Sequence, residues 1–187
     1  MDKRTFLAAG LATAFATACT TTGTSQGDPA ARRASLDSQV DSALSRLFTQ
    51  VPGSRDLVGK ARGVLVLPAV VSAGLVVGGP HGQGALRVAG KTDGYYSATG
   101  ASIGLLAGAD SRAVFILFMT QDSLERFRAS RGWTAGADAS VTMLRVGASA
   151  SIDTRTVQQP VIGFVLSNAG LMANLSLDGT RITRLEL

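Results

Sequence analysis

The sequence predicts an α+β domain: a curved antiparallel β-sheet, barrel- or sandwich-like, with two N-terminal helices and one short helix between strands. Three observations carry this. An apolar stripe of helical period opens the folded part, short β-branched runs divided by Gly, Pro and Asp fill the rest, and glycines recur inside those runs. The 187 residues make room for one globular domain plus a processed end. A hydrophobic content of 45% provides for a core and excludes disorder as the main state.

Asp28-Pro29 reads as an N-cap followed by proline in the first turn. Leu36, Val40, Ala43, Leu44 and Leu47 then recur at helical spacing, which predicts an amphipathic helix over about Pro29 to Thr49. Val51-Pro52-Gly53 ends it, and Ser54 is expected to cap a short second helix carrying Leu57, Val58 and Ala61. From Gly63 the texture becomes strand-like: Val64 to Leu67, Leu75 to Val77, Ala85 to Val88, Tyr95 to Ser97 and Ala101 to Leu105, with turns expected at Gly79-Pro80 and Asp93-Gly94. Ala113 to Met119 is apolar on both faces and predicts a central strand. Gln121 to Arg128 predicts a short helix through Leu124 and Phe127. Further strands are expected at Ala139 to Val146, Val161 to Leu166, Leu171 to Leu177 and Arg181 to Leu185, with Asp178-Gly179 turning a hairpin. Glycines within these runs, Gly104, Gly136, Gly147 and Gly163, predict bulges or a helix packed closely on the sheet.

Ahead of this domain, Lys3 and Arg4 precede an apolar run from Thr5 to Thr17 that is too short to span a bilayer, and small residues follow it. This pattern predicts a secretory signal over residues 1–18. Ala16-Thr17-Ala18-Cys19 resembles the bacterial lipobox, with Ala16 standing where Leu is usual. Cys19 is thus the expected lipidation site and new N-terminus, and Thr20 after it resembles the outer-membrane sorting default. The expectation is an outer-membrane lipoprotein of a bacterial envelope, facing the periplasm or the surface. No second cysteine exists for a disulfide. Residues 19–27, small and polar, form a flexible tether, and residues 28–187 form the single domain.

A set of strings along the domain resembles the SYLF family. They include Ala61-Arg62-Gly63-Val64-Leu65-Val66-Leu67-Pro68, Gly82-Gln83-Gly84, Tyr95-Tyr96, Leu117-Phe118-Met119-Thr120, Gly132-Trp133, Gly136-Ala137-Asp138, Gly163-Phe164, Gly170-Leu171-Met172-Ala173 and Ser176-Leu177-Asp178-Gly179-Thr180. The resemblance covers about Leu36 to Thr183. Members bind lipids in animals and associate with actin patches in fungi, so the resemblance implies a basic surface meeting an anionic lipid headgroup.

Composition points away from catalysis. Two Glu, one His and one Cys leave little material for acid–base, metal or nucleophilic work, and no cofactor or metal is expected. Asp110, Asp138 and Asp153 are the candidate carboxylates, each better read as a turn cap. Gly78 to Gly84 lacks the Lys and Ser/Thr of a phosphate-binding loop and reads as an inter-strand connection, with His81 a solvated loop residue. The excess of 18 Lys+Arg over 13 Asp+Glu suits anionic partners. Export and the lack of aromatics among the cations exclude nucleic acid. The expected headgroup contacts are Arg32, Arg33, Arg55, Lys60 and Arg62, on anionic phospholipid or phosphorylated lipid, with the acyl chains on Cys19 as a second hold on the membrane. The stripe from Leu36 to Leu47 is expected to pack on the core, not to enter lipid. The alternative is an envelope interaction protein that binds a protein partner and has no lipid affinity of its own.

Overall fold

The computed structural model describes residues 28–73, 77–100, 102–103, 110–144, 158–167, 170–171 and 176–187. The expected signal, Cys19 and the tether lie outside these, as do Gly147, Asp153 and parts of four expected strands, at 75–76, at 101 and 104–105 with Gly104 among them, at 145–146 and at 172–175.

Helix α1 (Pro29–Gln50) starts where the sequence predicts: the Asp28 carboxylate accepts the Ala30 N–H at 3.0 Å and Pro29 takes the first turn. Its stripe Leu36, Val40, Ala43 and Leu47 is buried, which bears out core packing. Helix α2 (Ser54–Lys60) departs from expectation in its cap, which is Gly53 with a φ of 78°. Ser54 is fully buried, and its hydroxyl donates to the Leu47 carbonyl at 3.1 Å, tying α2 to the end of α1.

The strands are β1 (Gly63–Ala73), β2 (Val77–Val88), β3 (Lys91–Thr99), β4 (Ser102–Ile103), β5 (Asp110–Phe118), β6 (Trp133–Thr134), β7 (Thr142–Met143), β8 (Val161–Ser167), β9 (Gly170–Leu171) and β10 (Arg181–Leu185), with α3 (Gln121–Ala129) after β5. They form one curled sheet in the order β6-β10-β3-β2-β1-β5-β8-β7, with β4 on β2 and β9 on β8. Pairing between these strands is antiparallel apart from β7 with β8, so the sheet is mixed at one edge. The predicted α+β class with a curved sheet is what forms.

The period of two in the central strands builds a core on each side of the sheet. Val64 and Val66 of β1, Ala113, Phe115 and Leu117 of β5, and Ile162, Phe164 and Leu166 of β8 meet Val40, Ala43, Leu47 and Leu57 of the helices. Leu65, Leu67, Val114, Ile116, Phe118, Val161 and Val165 face the other way, into the curl, where they meet Leu124 and Phe127 of α3 and Trp133. Phe118, Phe127, Trp133 and Tyr96 form a ring cluster there, with Tyr96 and Phe127 centroids 4.9 Å apart. The wholly apolar run Ala113 to Phe118 of β5 is therefore central, as predicted, because both its faces are covered.

Three expected turns are corrected: Asp178-Gly179 turns the chain into β10 but closes no hairpin among the described residues, because β10 pairs with β3 and β6 and the preceding β9 pairs with β8. Gly79-Pro80 and Asp93-Gly94 lie within β2 and β3, and the chain reverses at Ala89-Gly90, whose φ values are 49° and 77°. Gly78 to Gly84 is accordingly strand, not a connection, and His81 is an exposed strand residue. The reason lies in the partner strand. Leu67-Pro68 form a bulge between the Val66/Ala85 and Ala69/Gln83 pairs, which brings the Val66 carbonyl against β2. A Cβ on Gly84 would lie 1.8 Å from that oxygen. Likewise, a Cβ on Gly163 would meet Met143 and Val141 at 2.8 and 2.9 Å, so this glycine admits the β7 segment, not a helix.

Candidate functional site

The bulge decides which residues reach the helix side of the sheet. Before it the even-numbered residues of β1, Val64 and Val66, face α1; after it Val70 belongs to the opposite core. Parity has reversed, so Ala69 and Val71 now face the α1 side, paired directly with Gln83 and His81 of β2. The first two turns of α1 do not cover this part of the sheet. A groove of about 770 Å³ results, with Arg32, Ser35, Leu36 and Gln39 on the helix wall and Ala69, Val71, His81 and Gln83 on the floor. Val71 is 41% exposed, the one large apolar side chain exposed among the described residues.

Immediately beside the groove, α1 is held by a polar network. Arg87 of β2 donates to the Asp41 carboxylate at 2.7 Å and to the Thr92 hydroxyl at 2.6 Å, and lies 3.5 Å from the Asp37 carboxylate. Thr92 and Tyr95 of β3 donate to Asp37 at 2.7 and 2.9 Å. The Arg87 side chain is 14% exposed, so these are charge-assisted bonds in a half-dry setting. Burial first, and then the bond to Asp37, raise the Tyr95 hydroxyl above its usual pKa. Asp37 and Asp41 read in sequence as the polar face of a helix that would repel an anionic surface. In the fold they are answered from the sheet. The signal available was their spacing of four, which puts both on one face of the helix; their partner is fifty residues away in the case of Asp37.

The five predicted cations fall into two groups. Arg32 and Arg33 sit in the first turn of α1; Arg32 lines the groove, and Arg33 donates to the Leu187 main-chain oxygen and borders a smaller hollow with Arg184 and Tyr95. At the other end of α1, the Arg55 guanidinium stands 4.4 Å from the centre of the Phe48 ring, with Lys60 and Arg62 exposed nearby in sequence. Fifteen helical residues from Arg33 to Phe48 make a separation of about 22 Å, more than two Debye lengths at 0.1 M salt. The two groups therefore act as separate sites. Of the candidate carboxylates, Asp138 accepts the Thr134 N–H at 2.6 Å as a turn residue.

Residues 99–186 match the model of the Ysc84 family, described as Las17-binding protein actin regulator. Over that stretch the chain is similar to the Ysc84, or SYLF, family. The match runs from the end of β3 through β10, and so takes in β5, α3 and three of the four rings of the cluster, Phe118, Phe127 and Trp133. The groove residues named above, the Arg87 network up to Tyr95 and all five cations precede it. The matched family is thus described by binding to a protein. No curated protein matches the chain.

Among the described residues, no three of His, Cys, Asp and Glu come together as a metal site would require, and no helix is long and apolar enough to cross a membrane.

Proposed function

We propose that this chain is a non-catalytic module that binds anionic lipid headgroups from the α1/α2 side, held at a bacterial outer membrane by acyl chains on Cys19. One observation supports it most. Asp28 to Arg62 carries six cations, Arg32, Arg33, Arg46, Arg55, Lys60 and Arg62, against Asp28, Asp37, Asp41 and Asp56, and Arg87 of the sheet adds a seventh positive charge beside Asp37 and Asp41. The helical layer together with Arg87 thus carries seven cations against four carboxylates. Each cation near an anionic bilayer contributes about 1 kcal/mol.

The test is sedimentation of residues 28–187, which hold both cores, with vesicles of phosphatidylglycerol in phosphatidylcholine. Loss of Arg55, Lys60 and Arg62 at about 1 kcal/mol each lowers partition about 100-fold. Their joint replacement by Glu is therefore expected to abolish sedimentation at 0.1 M salt, and 1 M salt to release the unaltered protein. Unchanged partition in the triple variant would remove these residues from the site. A fractionation of the Cys19→Ala chain checks the anchor: a variant still as firmly in the membrane fraction as the parent overturns acylation at Cys19. A protein partner is the second reading, favoured by the family description as a Las17-binding protein; it stands alone if the parent binds no vesicle at all.

A further inference from the structure

The groove has a feature that surface attraction does not use. Its floor is two lanes wide: Ala69 and Val71 along β1 form an apolar lane, and their directly paired neighbours Gln83 and His81 along β2 form a polar one. Paired residues stand about 5 Å apart, so the two lanes run side by side at the width of one extended chain. The helix wall continues the apolar lane with Leu36 and closes it with Arg32. Arg32 and His81 line the groove and no Asp or Glu side chain does; Leu187 also lines it, with its main-chain oxygen held by Arg33. Arg32 is the cation on the helix wall. The volume of about 770 Å³ falls within the range of about 300–1,000 Å³ for a site that takes one small molecule.

We infer that this groove takes one molecule of a single-chain anionic phospholipid, its acyl chain on Ala69, Val71 and Leu36 and its phosphate at Arg32 and His81. One apolar lane accommodates one chain. The paired Gln83 and His81 supply hydrogen bonds to the glycerol and phosphate oxygens alongside it, and Arg32 supplies the charge. The inference rests on the lipid reading above and adds to it the capture of one molecule, as distinct from adhesion to a surface. Leaving Val71 bare costs nothing in folding and keeps the lane open.

The probe is lysophosphatidylglycerol below its micellar concentration, titrated calorimetrically into residues 28–187, with lysophosphatidylcholine as the uncharged comparison. Saturable binding at one molecule per chain is expected, with a preference for the anionic lipid that Arg32→Gln removes. Replacing both Ala69 and Val71 by Gln, at exposed positions that leave the melting temperature in place, is expected to weaken lysolipid binding at least tenfold while vesicle sedimentation holds. The Arg55, Lys60 and Arg62 triple variant is expected to do the reverse, losing vesicles and keeping lysolipid. If the Gln pair binds lysolipid like the parent, or the parent binds none saturably, the groove assignment is overturned and the surface reading stands. If lysolipid binds but vesicles do not, the surface reading falls and the groove remains.

Discussion

Gly84→Ala tests the bulge on which the groove depends. The added methyl would lie 1.8 Å from the Val66 carbonyl oxygen, 2.7 Å from its carbon and 2.9 Å from the Leu67 Cα. These are backbone atoms of the paired strand, with no rotamer to move. Side-chain carbons do not approach within 3.0 Å, so β2 must withdraw by at least 1.2 Å, the difference between 3.0 and 1.8 Å. Such a shift breaks the ladder locally, at about 1 kcal/mol for each of about two hydrogen bonds, and displaces the neighbouring core residues Ala85 and Leu86, at about 1–3 kcal/mol for an overpacked site. The sum is about 3–5 kcal/mol, a large part of a typical stability of about 5–15 kcal/mol. Urea unfolding of residues 28–187 measures it. Gly59→Ala in α2, where a Cβ meets nothing within 4 Å, is the control and is expected to hold or raise stability. A Gly84→Ala protein within 1 kcal/mol of the parent, a threshold at the low end of a single core disturbance, would refute the close approach of the two strands.

Phe115→Asp puts a carboxylate at a fully buried position between α1 and β5, costing several kcal/mol, and is expected to leave no cooperative melt; a soluble, cooperatively melting variant would show the strand is not interior. Tyr96→Phe removes a buried hydroxyl that has no hydrogen-bond partner, so stability is expected to hold or rise by about 1 kcal/mol, and a clear loss in denaturant titration would reveal a bond at that oxygen. Tyr95 and Tyr96 both have raised pKa values in the fold, so the native state keeps their protons when the unfolded chain has begun to lose them. Their contribution is full below pH about 10 and is lost as pH climbs through the folded values, so stability is expected to fall above pH about 10. Tyr95→Phe is expected to flatten that fall, and an unchanged pH profile would break the link to the Asp37 bond.

What the sequence by itself determined follows from local periodicity. The stripe from Leu36 to Leu47, the Asp28 cap, the two-faced apolar run of β5 and the α3 pair Leu124 and Phe127 are each written in neighbours a few residues apart, and they place α1 and α3 within a residue and β5 within three; the Asp178-Gly179 turn is local too, but which strands β10 pairs with is not. The cations were legible as types and positions. Tertiary structure alone decided how they group, because α1 is long enough to hold Arg32 and Arg55 at opposite ends. It alone also turned the glycine-rich stretch before Ala85 into strand: those residues carry turn chemistry locally, and only the Val66 carbonyl, brought up by a bulge in another strand, requires Gly84. The same bulge reverses the facing of Ala69 and Val71, which no count along the chain can register since the period of two gives no sign of where it slips. The Arg87 network needed the fold for a related reason. Asp37, Asp41, Thr92 and Tyr95 become one site only when α1 lies across β2 and β3, and that placement is set by burial of Val40, Ala43 and Leu47 against Val66, Ala85 and Phe115, a force that acts on surfaces and not on sequence neighbours.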